Sequence, residues 1–244
     1  MINEITHGDC LQVMKDIPSK SVDMILCDLP YGTTACKWDS IIPFAPLWKQ
    51  YKRIRKDSTA IVLTASQPFT TVLINSNFKE FKYQLIWDKM RTCGSMLAKI
   101  RPLKIHEDIV VFSKDKEKYN PQMRKGAYQY KATGGNSDNY GNINIIRNLN
   151  DDYYPNSIMS FLACHNMTGK EHPTQKPINL FRYLIRTYTN KGDLVLDNCS
   201  GSGTTALACH IEKRKFICIE KEKKYVELSI ERLKTEQQKI RLEL

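Results

Sequence analysis

The sequence predicts an α/β fold: a doubly wound, mainly parallel sheet carrying one polar insertion. Three observations predict it. Short apolar, β-branched runs recur along the 244 residues. They are mostly continuous rather than alternating, as suits strands covered on both faces. Helix-like stretches lie between many of them, the alternation that builds parallel sheets. One long segment, from Lys114 to about Lys170, breaks this pattern and is polar and rich in asparagine. At this length, one α/β domain with an insertion is the simplest count.

The elements follow in order. Ile2–Thr6 reads as the first strand, and Asp9 behind it suits the cap of a helix starting at Leu11. Val22–Cys27 is a second apolar strand, ending in Asp28-Leu29-Pro30-Tyr31. Helix Pro43–Arg55, strand Ala60–Thr64 and helix Pro68–Ser76 come next, then strands Tyr83–Trp87 and Asp108–Phe112. After the insertion come helix Ile178–Thr189, strand Leu194–Leu196, helix Thr204–Lys213, strand Phe216–Ile219 and helix Lys221–Gln237. Pro43, Pro68 and Pro177 precede or open helices, where a proline is tolerated. No internal repeat is evident.

Composition narrows the function. The net charge is +11 and the isoelectric point about 9.2, a balance that favours an anionic partner, most commonly nucleic acid. No apolar run reaches the roughly 18 residues of a membrane span. The N-terminus lacks a basic segment followed by an apolar one, so no secretory signal is expected. A cytoplasmic location without membrane contact is the expectation. The eight cysteines include no CxxC pair; without closely spaced ligand pairs no metal site is expected.

The insertion is too long for an ordinary loop. It carries Tyr119, Tyr128, Tyr130, Tyr140, Tyr153 and Tyr154 among Arg124, Lys125, Lys131 and Arg147. Aromatic and basic residues interleaved in this way suit nucleic acid. A partly disordered insertion is the alternative.

Two strand ends carry chemistry. The stretch LVLDNCSGSGTTALAC, 194–209, runs from a short strand ending in Asp197, through Gly201, Ser202 and Gly203, into a helix near Thr204. Glycines let backbone approach a ligand, and a helix N-terminus offers free N–H groups. The next strand ends in Glu220, 19 positions after Gly201, where an acid can accept both hydroxyls of a ribose. This half predicts a site for an adenosine-bearing ligand. The loop lacks the lysine of a phosphate-gripping loop, which argues against a nucleoside triphosphatase. At the other strand end, the Asp28 carboxylate and Leu29 carbonyl are adjacent acceptors and Tyr31 offers a ring. Together they suit an aminated nucleobase swung out of its helix.

These residues resemble the S-adenosylmethionine-dependent amino-methyltransferases of DNA. DLPY (28–31) is similar to the family's (D/N/S)PP(Y/F/W) tetrapeptide, and DNCSGSGTT resembles its DPFxGSGTT cofactor loop. HPTQKP (172–177), GDC (8–10), KYQLIWDK (82–89) and HEDIVVFSK (106–114) resemble further family segments. The target-base motif precedes the cofactor loop, which resembles the circularly permuted β group, of bacterial or phage type. The resemblance implies a Rossmann-like, seven-stranded sheet with one antiparallel strand. It implies a catalytic domain of residues 1–114 and 166–244, with 115–165 as the target-recognition insertion. It implies S-adenosylmethionine as cofactor and double-stranded DNA as substrate, with a homodimer and a cognate restriction enzyme as further candidate partners.

By the same resemblance, Asp28, Leu29, Pro30 and Tyr31 are catalytic. Asp197, Gly201, Ser202, Gly203 and Thr204 surround the methionine part of the cofactor, and Asp28 counts among the cofactor-binding residues as well. Lys176 pairs with its carboxylate, Glu220 takes the ribose, and Asp9 and Cys10 lie by the adenine. An aspartate at the head of the tetrapeptide points to the N6 amine of adenine. N4-cytosine is the nearest rival, followed by RNA adenine, a nicotinamide oxidoreductase and a non-catalytic DNA-binding protein. Two departures stand out. Leu29 replaces a proline and so removes a φ restraint on the turn. Asn198-Cys199 replaces Pro-Phe, which predicts a weaker apolar contact to the cofactor.

Overall fold

The computed structural model describes residues 1–34, 36, 39–139, 141–164 and 175–242. Tyr140 and the His172-Pro173-Thr174 part of HPTQKP lie outside the described residues. The chain divides into two compact units, one of residues 1–120 and 157–244 and one of residues 121–156.

The larger unit is built on one mixed sheet. Its strands are β1 (Glu4–His7), β2 (Val22–Asp28), β3 (Arg55–Ala65), β4 (Phe81–Cys93), β5 (Lys104–Phe112), β8 (Ile158–Ser160), β9 (Leu194–Asp197) and β10 (Lys215–Glu220). Their order is β1-β10-β9-β2-β3-β5-β4-β8. Only β5 runs against its neighbours, pairing antiparallel with β3 and β4. The seven expected strands are all present. The eighth, β8, is a three-residue strand parallel to β4 at the edge.

The sheet is covered on both faces, as the continuous apolar runs require. Along β2, Ile25 and Cys27 enter one core with helix α2 (Phe44–Ile54) and helix α3 (Phe69–Ser76). Met24 and Leu26 enter the opposite core with helix α4 (Ile178–Tyr188) and helix α5 (Thr204–Ile211). Strand side chains alternate between faces, so one apolar run feeds two cores. Each fully buried Leu or Ile contributes roughly 1.5–3 kcal/mol. In α2 the buried residues are Leu47, Trp48, Tyr51 and Ile54, one stripe of an amphipathic helix begun at Pro43. Helix α1 (Cys10–Val13) follows β1, and α6 (Lys223–Leu242) closes the described chain. No described helix is long and apolar enough to cross a membrane. All eight cysteines are free thiols.

The register lines up the strand ends. His7 is level with Glu220, Cys218 with Asp197, and Met24 with Val195. The C-terminal ends of β1, β10, β9 and β2 therefore share one edge of the sheet. In open α/β sheets, ligands bind outside that edge.

The smaller unit is a two-stranded antiparallel ribbon of β6 (Arg124–Ser137) and β7 (Gly141–Tyr153). Gly126 faces the Tyr153 ring so closely that an added Cβ would lie 2.5 Å from its Cε2. The Tyr153 hydroxyl donates to the Ala127 carbonyl at 2.9 Å. Tyr128 and Tyr154 are exposed. Tyr119 belongs to the larger unit, where its ring lies 6.4 Å from that of Tyr188.

Candidate active site

A cavity of about 570 Å³ lies along the C-terminal edge of the sheet, within the usual size of small-molecule sites. Asp9, Cys10, Asp28, Leu29, Pro30, Tyr31, Lys176, Asp197, Gly201, Ser202, Thr204 and Glu220 all line it. Of the catalytic and cofactor-binding residues that the resemblance implies, only Gly203 sits outside the lining, one step behind it as the N-cap of α5 at φ +77°.

At the end of β2, Asp28 is fully engaged. Its Oδ1 accepts from the Tyr31 hydroxyl at 2.8 Å and from the Thr64 hydroxyl. Thr64 stands opposite Asp28 on β3. Oδ2 accepts from Lys176 Nζ at 2.6 Å. The Tyr31 ring stacks on Phe69, with centroids 5.1 Å apart and planes inclined at 27°. Lys176 Nζ lies 5.7 Å from the Tyr31 ring centre. Burial, reinforced by the Asp28 charge, pushes the Tyr31 hydroxyl well above its ordinary pKa. It is thus a hydrogen-bond donor at neutral pH.

A chain of alternating charge continues from Asp28. Lys176 Nζ lies 3.5 Å from Glu107 Oε2, and Glu107 Oε1 accepts from Lys89 Nζ at 3.2 Å. Burial works to lower the Lys176 pKa, but the Asp28 and Glu107 carboxylates outweigh it and hold the ammonium above its ordinary range. Glu107 and Lys89 both line the cavity. Their segments, KYQLIWDK and HEDIVVFSK, resemble family strands around the substrate pocket, but neither residue stands out by spacing, nor does Thr64, because cross-strand register brings them there.

The turn after Asp28 is held by packing and hydrogen bonds rather than by a proline at position 29. Leu29 is 4% exposed and packs into the core. Beyond it, Asp39 accepts from the backbone N–H groups of Gly32, Thr33 and Thr34 at 2.9, 3.0 and 2.7 Å. Partial burial pushes the Asp39 carboxyl up, yet these donors and the Thr34 side chain hold it below the usual range.

On the other side of the cavity, Glu220 Oε2 accepts from Gly201 N at 2.7 Å and Oε1 from Glu222 N at 2.8 Å. Burial raises its pKa against those bonds. Asp197 is almost fully enclosed and bonded to the Thr205 hydroxyl and to Cys199 N. Burial pushes its carboxyl up to about 7. Gly203 allows close packing: an added Cβ would lie 2.7 Å from Ser229 Cβ. Asp9 caps α1 through bonds from Leu11 N and Gln12 N at 2.9 and 3.3 Å. Asn198 accepts from the Tyr51 hydroxyl. Cys199 packs against the core that holds Cys10 and Cys27.

Among the described residues, Gln175 Oε1 and Ser200 Oγ in this lining have no hydrogen-bond partner, and Glu107 Oε2 has only the Lys176 ammonium at 3.5 Å. Buried polar atoms are normally satisfied, so orphans aimed into a cavity mark a place for a polar ligand.

Comparison with known proteins gives the family. The DNA methylase family model for N6- and N4-methyltransferases matches residues 22–231. The chain belongs to this family. Among curated relatives, the type II methyltransferase M.HpaI of Haemophilus parainfluenzae is 27% identical over 251 residues, covering 97% of this chain and 76% of the relative. The DNA adenine methyltransferase YhdJ of Escherichia coli K12 is 28% identical, covering 94% of this chain and 82% of the relative. Among solved structures, the M1.HpyAVI–SAM complex superposes with a TM-score of 0.66 at 25% identity, covering 94% of this chain and 99% of that one. The cytosine-N4-specific PvuII DNA methyltransferase gives 0.70 at 18% identity, covering 93% and 84%, and shares the fold.

Proposed function

We propose that this protein transfers a methyl group from S-adenosylmethionine to the N6 amine of an adenine rotated out of duplex DNA. The observation that carries this reading is Asp28. It stands at the end of β2 beside Leu29 and Tyr31, in the same cavity as Glu220 and the glycine loop. The aspartate head of DLPY and the named adenine specificity of the relative YhdJ favour adenine over cytosine.

The residues fit the cofactor. Glu220 is buried at the strand end, 19 positions beyond Gly201, and holds the ribose hydroxyls in this reading. Ser200 Oγ and Gln175 Oε1, in the same wall, have no hydrogen-bond partner among the described residues. The bound cofactor supplies an electrophilic methyl group on a sulfonium centre. Gly201, Ser202 and Thr204 shape the wall around its methionine part, Asp9 and Cys10 that around its adenine.

The protein's share of the reaction is positioning. An adenine amine is a poor nucleophile because its lone pair is shared with the ring. Asp28 and the Leu29 carbonyl take its two N–H groups and favour a more pyramidal nitrogen. Lys176 has a second carboxylate, Glu107, to turn to when Asp28 receives the amine. Holding reactants in line supplies up to roughly 7–11 kcal/mol in well-oriented cases. The order of the motifs, DLPY before the glycine loop, supports assignment to the permuted group, and the 121–156 ribbon is its target-reading element in this account.

Asp28→Ala tests the assignment. It should leave S-adenosylmethionine binding within about twofold while transfer falls by at least about a thousandfold. Full transfer in that variant contradicts the role given to Asp28.

A further inference from the structure

The turn joining β4 to β5 has a composition that the methyl-transfer site does not explain. Between Lys89 and His106 there is no acidic residue, while Lys89, Arg91, Lys99, Arg101 and Lys104 are basic. Met90, Met96, Ile100 and Ile105 are all exposed, Met96 at 93% and Ile100 at 77%. Apolar side chains this exposed on one short turn and its two strand roots, in a stretch whose charged residues are all basic, suit a partner that is anionic outside and apolar within.

The turn is preformed. Gly94 takes φ +81°, and a 3₁₀ turn over Ser95–Leu97 follows. Leu97 N donates to Gly94 O at 2.8 Å, Ala98 N to Ser95 O at 3.1 Å, and Ile100 N to Leu97 O at 2.9 Å. Met96 and Ile100 are thus held outward on hydrogen-bonded backbone. Met90 adopts φ +55° and donates its N–H to Asp88 Oδ1 at 2.8 Å. Such backbone is unfavourable for a methionine, and strain of this kind clusters at binding elements. Both roots of the turn reach the cavity. Lys89 and Cys93 on one side and Glu107 on the other line it. Lys104 bonds to Ser66, which also lines it.

We infer that this turn is a wedge: Met96 and Ile100 enter a DNA duplex and fill the space left when the target base rotates into the cavity, while Arg91, Lys99 and Arg101 hold the flanking phosphates. The inference rests on the proposed DNA substrate. A base pair that loses one member leaves an apolar gap between stacked neighbours, which an inserted Met or Ile fills. Paired phosphates around the gap call for cations. An anionic lipid surface also attracts basic and apolar residues, but it offers no gap for two side chains held on a narrow turn.

The test uses the whole protein and two 25-mer duplexes of one sequence, one intact and one with a single abasic position at its centre. Binding is read by fluorescence anisotropy for wild type and for the Met96→Ser/Ile100→Ser double variant. Both changes are at exposed positions, and matching melting temperatures verify the fold. Wild type should bind the gapped duplex at least about fivefold more tightly, and the double variant should lose that preference. Lys99→Glu should weaken both duplexes alike and lower the salt dependence. No preference in wild type, or equal preference in the variant, overturns the wedge. Binding to phosphatidylserine vesicles with no binding to either duplex overturns it too. A gap preference in a protein that methylates no DNA would keep the wedge and discard the methyl-transfer reading.

Discussion

Lys176 Nζ sits 2.6 Å from Asp28 Oδ2, and both side chains are largely withdrawn from water, at 9% and 23% exposure. The same ammonium reaches Glu107 at 3.5 Å. One ammonium thus bridges two carboxylates in the wall of the cavity, and Lys89 holds Glu107 from its other side at 3.2 Å. Lys176→Met leaves both without a shared cation and should cost about 3 kcal/mol of stability in urea unfolding. Asp28→Asn should cost less, because Lys176 keeps Glu107. If Lys176→Met proves no more costly than Asp28→Asn, the lysine is not the central charge of this site.

Asp39 should matter more than its loop position suggests. Asp39→Ala strips the partner from three backbone N–H groups of the turn after DLPY. Hydrogen exchange at Gly32, Thr33 and Thr34 should speed up, and turnover should fall by about tenfold or more as the Asp28 geometry loosens. Asp39→Asn should recover part of both, since its amide oxygen still accepts.

Glu220 predicts a pH-dependent affinity. Burial raises its pKa, so its proton returns at a higher pH than for an exposed glutamate. The proposed acceptance of both ribose hydroxyls is strongest in the ionised form. Calorimetry should show S-adenosylmethionine binding weakening as the pH falls toward that raised value. Glu220→Gln should bind about ten- to a hundredfold more weakly at neutral pH and lack this acid-side decline.

Asp197 predicts the pH dependence of stability. Its carboxyl titrates at about 7 in the folded protein, against 3.8 for an ordinary aspartate. The folded state holds this proton more tightly than the unfolded chain. Its contribution is therefore complete below about pH 4 and declines as the pH rises through about 7. The change is on the order of 4 kcal/mol. Asp197→Asn should flatten the stability curve in that window, measured by urea unfolding at stepped pH.

Much of this was legible in the sequence, for physical reasons. Apolar runs ending in Asp28, Asp197 and Glu220 announce buried strands with acids at one sheet edge, and the structure gathers those three acids in one cavity. Thr64, Lys89 and Glu107 were not legible, because cross-strand register, not sequence spacing, brings them to Asp28. Asp39 acts across a turn whose path no periodicity reveals. Strand β3 begins at Arg55, through the charged stretch Lys56-Asp57-Ser58, so only its apolar half from Ala60 stood out. The ribbon of β6 and β7 is rich in Gly and Asn and has no sustained apolar alternation. Strand β8 is three residues long, too short to show a period.

The proposed reaction is methyl transfer to the N6 amine of adenine. The most direct measurement is a nucleoside digest: the protein is incubated with labelled S-adenosylmethionine and unmethylated DNA of mixed sequence, and the labelled nucleoside is identified by mass spectrometry. Label is expected in N6-methyldeoxyadenosine. Label in N4-methyldeoxycytidine, or no label from a protein that binds the cofactor, contradicts it.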